Sequence, residues 1–201
     1  CVQQLDQALA AAERIGWPVV LKPVLGGKGR GVWVALSDAE ALRHAWQAEP
    51  RPAGQQWLVQ RWLKGADHRL LLLDGCLVAT AQRQPACLIS DGQRPLRAQL
   101  AAFNAGPERG VAYERLLNRV PVDGRLLRLL ADQGLALETV PPAGTRVLLS
   151  RTANLSQGGS AIDISDRVHP DNRRLAEDIA RLTGADALGL DVISQDLSVS
   201  W

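Results

Sequence analysis

Two short apolar runs, Pro18–Leu21 and Val32–Val34, bracket the basic, glycine-rich stretch Leu25-Gly26-Gly27-Lys28-Gly29-Arg30-Gly31, and Lys22 closes the first run. No other feature restricts the fold as strongly. Glycines without a Cβ let backbone N–H groups approach a ligand, while Lys22, Lys28 and Arg30 bring cations to the same few residues. A polyphosphate needs both kinds of donor. The common phosphate loops place a helix directly after their glycines. Here Val32-Trp33-Val34 reads as a strand instead, so the stretch is a hairpin flap suited to covering a nucleotide. A plain surface turn is the alternative. Lysine occurs only three times in the chain, two of them at this loop, and its compact ammonium suits phosphate oxygens.

The 201 residues are enough to bury a real core. A formal net charge of +2 with both signs dispersed gives no basic stripe for nucleic acid. Cys1, Cys76 and Cys87 form no CxxC pair and leave an odd thiol, which points to a reducing, cytoplasmic setting and no zinc ribbon. No apolar run approaches the ~18 residues of a membrane span, and no secretory signal is present, so no membrane partner is expected. A homo-oligomer is left open. The chain contains no methionine and starts at Cys1, as expected of a piece of a longer protein.

Spacing predicts a helix over 3–15 ended by Gly16, a strand at Pro18–Lys22 and a second at Val32–Leu36. Ser37-Asp38-Ala39-Glu40 reads as a capping box opening a helix to about Gln47. After a linker with Pro50, Pro52 and Gly54, Trp57–Leu63 is a buried strand. His68–Asp74 and Cys76–Arg83 flank Asp74-Gly75, a strong hairpin signal. Asp91-Gly92 marks a turn, Pro95–Phe103 a short helix and Leu126–Gln133 another, but 104–144 is otherwise poorly legible. Arg146–Arg151 is a strand followed by the polar loop Asn154–Ser160. Asp171 caps a helix to about Thr183 with Gly184 as C-cap, and Ala187–Ile193 is the last strand. Hairpins outnumber crossovers, so the class is α+β and not a doubly wound parallel sheet.

A strand ending in lysine, a glycine flap, a buried strand followed by Gly65-Ala66-Asp67, and Asp191 near the last strand occur in a fixed order. This order resembles the ATP-grasp superfamily of carboxylate–amine ligases. The run Arg151–Asp163, with Asn154-Leu155-Ser156-Gln157-Gly158-Gly159 as its specific part, and then Val168-His169-Pro170-Asp171-Asn172, resembles the ATP-grasp region of the cyanophycin synthetases. So do Val19–Val32, Val59–Arg69 and Gln82–Gly92. The resemblance implies an ATP-grasp fold of two α+β lobes, 1–60 and 61–201, with a nucleotide cleft between them and a lid or insert at 91–145. It implies ATP and magnesium as cofactors, with a small amino acid and a peptide-like acceptor as partners.

By the same resemblance Lys22 holds the α/β-phosphates under the flap of Gly26, Gly27 and Gly29. Gln60, Arg61, Trp62 and Leu63 form the hinge strand beside the adenine, where Trp62 either packs on the base or fills the core. Asp67 meets the ribose hydroxyls and Asp191 binds magnesium. An aspartate inside an apolar strand is costly to bury unpaired, so a metal or a salt bridge is expected there. Arg83 and Arg151 are candidates for an acyl phosphate or acceptor carboxylate, with pairing to acidic neighbours as the plainer role. Asn154 and Ser156 offer donors to phosphate or acceptor, with an Asx turn as the alternative. His44 reads as surface and His169 as a cap or a packing residue.

The chain departs from the pattern at several positions. Gln60 stands where a glutamate usually accepts from adenine, Leu25, Gly27 and Lys28 replace Asp, Asn and His, and His68 stands where tyrosine is common. The second metal carboxylate and its asparagine fall beyond Trp201, so this segment alone is expected to catalyse nothing. The implied reaction joins a carboxylate to an amine through an acyl phosphate, adding aspartate to a poly-aspartate backbone. The alternatives are another ATP-grasp peptide ligase, such as a glutathione-making enzyme, and a degenerate nucleotide-binding module.

Overall fold

The structure, a computed structural model, describes residues 1–25, 31–48, 54–111 and 114–201, with Ser156 described by its backbone alone. The flap positions Gly26, Gly27 and Gly29 lie outside the described residues, as do Lys28, Arg30, Pro50 and Pro52. The chain divides into two units, Cys1–Leu63 and Lys64–Trp201.

The first unit holds α1 (Leu5–Ile15), β1 (Val19–Pro23), β2 (Trp33–Leu36), α2 (Ala39–Ala48) and β3 (Trp57–Arg61). Helix α1 starts two residues later than its spacing suggests, because Gln4 and Gln7 form a reciprocal capping box. It stops at Gly16, which has φ +87° and donates its amide to the Ala12 carbonyl at 2.9 Å. The expected Ser37–Glu40 box does not form. Asp38 caps α2 instead: Oδ1 accepts from the Ala41 amide at 2.9 Å, and the Ser37 hydroxyl donates to Oδ2. These bonds lower the Asp38 carboxyl's pKa, the Ala41 amide contributing most. An ionised acceptor at a helix N-terminus outcompetes a neutral hydroxyl. The strands form an antiparallel sheet in the order β2-β1-β3. Val19, Leu21, Leu36, Leu42, Trp57 and Val59 bury against the alanines of α1. By alternation, Val20 and Lys22 of β1 and Leu58 and Gln60 of β3 take the opposite face.

The second unit is built on a four-stranded antiparallel sheet in the order β10-β5-β4-β11, made of β4 (Ala66–Leu73), β5 (Cys76–Gln84), β10 (Ser160–Asp163) and β11 (Ala187–Ser194). Strands β4 and β5 are joined by Asp74 and Gly75 with φ of +48° and +75°, the left-handed pair that a two-residue turn needs. Leu70 and Leu72 point inward and pack with Leu188, Leu190 and Val192 under α5 (Pro170–Thr183), each burial worth roughly 1.5–3 kcal/mol. The opposite face of this sheet carries Asp67, Arg69 and Leu71, which alternate with the buried residues.

A second core lies within residues 86–149, where Leu88, Leu96, Leu100, Leu126, Leu130 and Val147 meet. It joins β6 (Cys87–Ile89), α3 (Leu96–Asn104), α4 (Gly124–Asp132) and β9 (Arg146–Leu148), with the two-residue strands β7 (Arg109–Gly110) and β8 (Leu117–Asn118) alongside. Helix α4 begins at Gly124 because Asp123 accepts from the Arg125 and Leu126 amides. Helix α5 is capped not by Asp171 but by His169, whose Nδ1 accepts from the Asp171 amide at 3.2 Å. Asp171 instead accepts from the Ser200 hydroxyl at 2.8 Å. All three cysteines are free. Among the described residues no helix is long and apolar enough to cross a membrane.

His68 sits on the inward face at 1% exposure, and its Nδ1 has no hydrogen-bond partner. Burial pushes its imidazole below the ordinary value. Protonation is therefore easier in the unfolded chain, so stability is complete above the unfolded pKa of ~6.5 and declines as pH falls below it. Thermal unfolding at pH 8 and pH 5.5 checks this: the midpoint should fall on acidification, and by less in His68→Gln. An equal fall in both proteins would remove His68 as the cause.

Candidate functional site

Antiparallel register fixes the site on the exposed sheet face of the second unit. Asp67 of β4 stands opposite Arg83 of β5, and Arg69 of β4 stands opposite Asp191 of β11. Arg83 reaches both carboxylates, at 3.5 Å to Asp67 and 3.1 Å to Asp191, while Arg69 donates to Asp191 at 2.9 Å. Two aspartates and two arginines thus form one network. Strand β10 flanks it with Ala161 in register with Arg83, a side chain short enough to leave the guanidinium room. Gly189 does the same beside Arg69, since a Cβ there would fall on the Arg69 guanidinium.

Asp191 differs from the sequence expectation in one respect. Its strand is not buried on both faces, and the carboxylate is 60% exposed. The salt bridge expected there exists, but burial is not its cause. Asp67 is more enclosed: burial pushes its carboxyl above the ordinary value, Arg83 opposes this and Asp191 adds to it. Ile193, in register with Asp67, leaves an apolar side chain 51% exposed beside it.

The loop Asn154–Ser160 ends where β10 comes alongside β5, with Ser160 in register with Gln84. The Asn154 carbonyl accepts from the Gln157 and Gly159 amides at 2.9 and 3.1 Å, and its side chain makes no cap hydrogen bond. Gly158 has φ +84°, and a Cβ there would overlap the Val120 side chain. A Cβ on Gly159 would lie 2.8 Å from the Gln84 carbonyl oxygen. Close packing thus requires both glycines. Arg151, exposed at the start of this region, forms an ion pair with Asp132 at the end of α4 and not with the Asp67 network.

In the first unit Lys22 and Gln60 share the face opposite the helices, as diagonal neighbours across the β1–β3 pair. Among the described residues Lys22 has no ion pair. Arg61 is exposed and donates to the Ile15 carbonyl at 3.1 Å, closing the end of α1. Trp62 is half-buried and belongs to none of the buried clusters, so the core role offered by its sequence context does not hold. Leu63 is 56% exposed. Strand β3 ends at Arg61, short of the Leu63 expected, although the Trp62 amide still donates to the Pro18 carbonyl.

Known proteins resemble this chain along nearly its whole length. Residues 1–69 match the family model described as carbamoyl-phosphate synthase L chain, ATP binding domain. Over 199 residues, 98% of the chain, it is 37% identical to the cyanophycin synthetase of Crocosphaera subtropica, covering 23% of that protein. The chain has the ATP-grasp fold. It is also 27% identical over 88% of its length to the bifunctional glutathione biosynthesis protein of Streptococcus agalactiae, of which it covers 24%. The crystal structure of a bifunctional glutathione synthetase from Pasteurella multocida superposes with a TM-score of 0.63 at 26% identity, covering 99% of this chain and 27% of that one. The chain thus spans about a quarter of the length of the curated relatives it matches.

Two residues of this ATP-grasp chain that shape the site were not singled out from sequence. Arg69 was legible in principle, because it lies two residues after Asp67 on a strand and so shares its face. Arg109 was not. It is 8% exposed, donates Nη1 to the Asn118 and Gly158 carbonyls at 2.9 and 2.8 Å, and lies 3.9 Å over the Phe103 ring. Burial lowers its pKa, with Glu108 opposing. Its effect is to tie β7, β8 and α3 to the glycine end of the Asn154 loop.

Proposed function

We propose that the protein of which this chain is part is an ATP-dependent carboxylate–amine ligase, extending a poly-aspartate backbone by one aspartate. The shared Asp67–Arg83–Asp191–Arg69 network carries the reading, supported by the 37% identity to a cyanophycin synthetase over nearly the whole chain. The residues fit the groups the family implies. Lys22, which has no ion pair among the described residues, offers an ammonium for phosphate oxygens, and the Gln60 amide oxygen, on the same face, can accept from an adenine amino group. Magnesium is commonly held by one or two carboxylates plus substrate phosphates, which suits the exposed carboxylate of Asp191. Among the described residues there is no group of three or more acidic, histidine or cysteine ligands, so substrate phosphates would have to supply the remaining ligands.

Magnesium supplies charge neutralisation of the transferring phosphoryl group. The chain's own residues bind and orient. Lys22 holds the phosphates, and Asp67 accepts from the ribose hydroxyls. Arg83 and Arg69, which pair with Asp191 here, would be free to meet the anionic substrate if Asp191 held the metal. The acceptor's carboxylate oxygen bonds to the γ-phosphorus and ADP leaves. The amine nitrogen then forms the C–N bond, the C–O bond to phosphate breaks, and the amine proton passes to solvent. Positioning and charge compensation do this work without a covalent protein nucleophile. Asn154 and Arg151 are assigned to the acceptor end, where Arg151 first gives up Asp132.

Full-length protein supplied with ATP, magnesium, aspartate and a poly-aspartate primer should release phosphate only when amino acid and primer are both present. Release with a γ-glutamyl dipeptide and glycine instead would favour the glutathione-type reading, to which the superposition over 99% of the chain lends support. Release with neither would sink both. Lys22→Ala should weaken ATP binding about tenfold or more, as expected for a lost charge-assisted contact of about 1.5–3 kcal/mol. Titration calorimetry reads this directly, and an unchanged affinity would dismiss the lysine.

A further inference from the structure

The sheet that carries the network has a second polar concavity on its other face. His68 and Gln82 stand opposite each other in register and alternate with Asp67 and Arg83, so they point away from the proposed ligase site. With Arg167, Gln195, Asp196 and Ser198 they line a cavity of about 230 Å³. Its hydrogen-bonding capacity is largely unspent. The His68 Nδ1 is buried without a partner, and among the described residues the side chains of Gln82, Arg167 and Gln195 make no hydrogen bond or ion pair. Asp196 accepts from the Ser198 amide at 2.8 Å and also from the Ser198 hydroxyl, and among the described residues it forms no ion pair although Arg167 lines the same cavity.

We propose that this cavity is a binding site for a small polar α-amino acid. Opposite charges on one cavity wall that do not reach each other leave a gap, and a zwitterion spans such a gap with both ends matched. The Arg167 fork takes the α-carboxylate, and Asp196 Oδ2 takes the α-ammonium. The Gln82 and Gln195 amides then face the amino acid's own polar end. At ~30 Å³ per water the volume holds about seven waters, which suits an amino acid and excludes a nucleotide. Because 67 and 68 are consecutive, as are 82 and 83, an occupant would press on the strands that hold Asp67 and Arg83. The site goes beyond the ligase reading and stands without it.

Calorimetric titration of the full-length protein without nucleotide tests this, using L-aspartate, L-asparagine, L-glutamine and inorganic phosphate as separate titrants. At least one amino acid should bind saturably. Arg167→Met and Asp196→Asn should each weaken that binding tenfold or more with unfolding midpoints near the parent's, and Lys22→Ala should leave it intact. Binding that ignores both cavity variants, binding lost in Lys22→Ala, phosphate binding as tightly as the amino acid, or no heat from any titrant would each overturn the proposal. Failure of the ligase reading shows separately, as absent phosphate release.

Discussion

Asp191→Asn in the full-length protein is expected to cut ATP-dependent phosphate release at least about 100-fold, because charge stabilisation through a metal ligand is worth several kcal/mol and each ~1.4 kcal/mol is a decade. The fold should barely notice. The Asp191 carboxylate is 60% exposed, and its bridges to Arg69 and Arg83 are surface pairs, each worth about 0–1 kcal/mol. In a chain of this size that is a shift of at most a few degrees in unfolding midpoint. Phosphate release and thermal unfolding on the same preparation separate the two effects. A variant that turns over at the parent rate would take Asp191 out of the site. One that unfolds far earlier would make the network a structural element.

The second large effect falls on Gly158→Ala. Its φ of +84° costs a side-chain-bearing residue about 1–2 kcal/mol, and the new methyl would overlap the buried Val120, adding about 1–3 kcal/mol of overpacking. The summed loss of about 2–5 kcal/mol should lower the unfolding midpoint by roughly 5–15 °C. Gly184→Ala is the internal reference. Its φ is +65°, but nothing lies within 4 Å of the new atom, so only the backbone cost applies. Equal midpoints for the two variants would mean that the Val120 contact yields and the overlap costs nothing.

Local chemistry made part of this fold legible in the sequence. Asp74-Gly75 specified its turn because two left-handed residues are needed there, and Gly184 ended α5 as its position suggested. The misassigned caps have a common cause. Asp38 and Asp171 each had a neighbouring competitor, and Pro170 at the first helical position makes His169 the cap of α5. Residues 104–144 resisted reading because their strands are two residues long and are held by the Arg109 side chain, which periodicity cannot report. Strand β10 was hidden by a polar loop running straight into it.

In the candidate site, Asp67, Arg83 and Asp191 were each named from sequence, and antiparallel register brings them together. Arg151 was named by the same reasoning, yet it rests against Asp132, a pairing no spacing rule contains.

Arg109 has a kinetic consequence. One guanidinium bonds the Asn118 and Gly158 carbonyls at once, so neither carbonyl can be released without disturbing the other's donor. Backbone amides of 109–111, 114–119 and 157–159 should therefore share one opening free energy in hydrogen exchange, as a single cooperative foldon. The Asn154 loop would then fluctuate with β7 and β8, at one common rate.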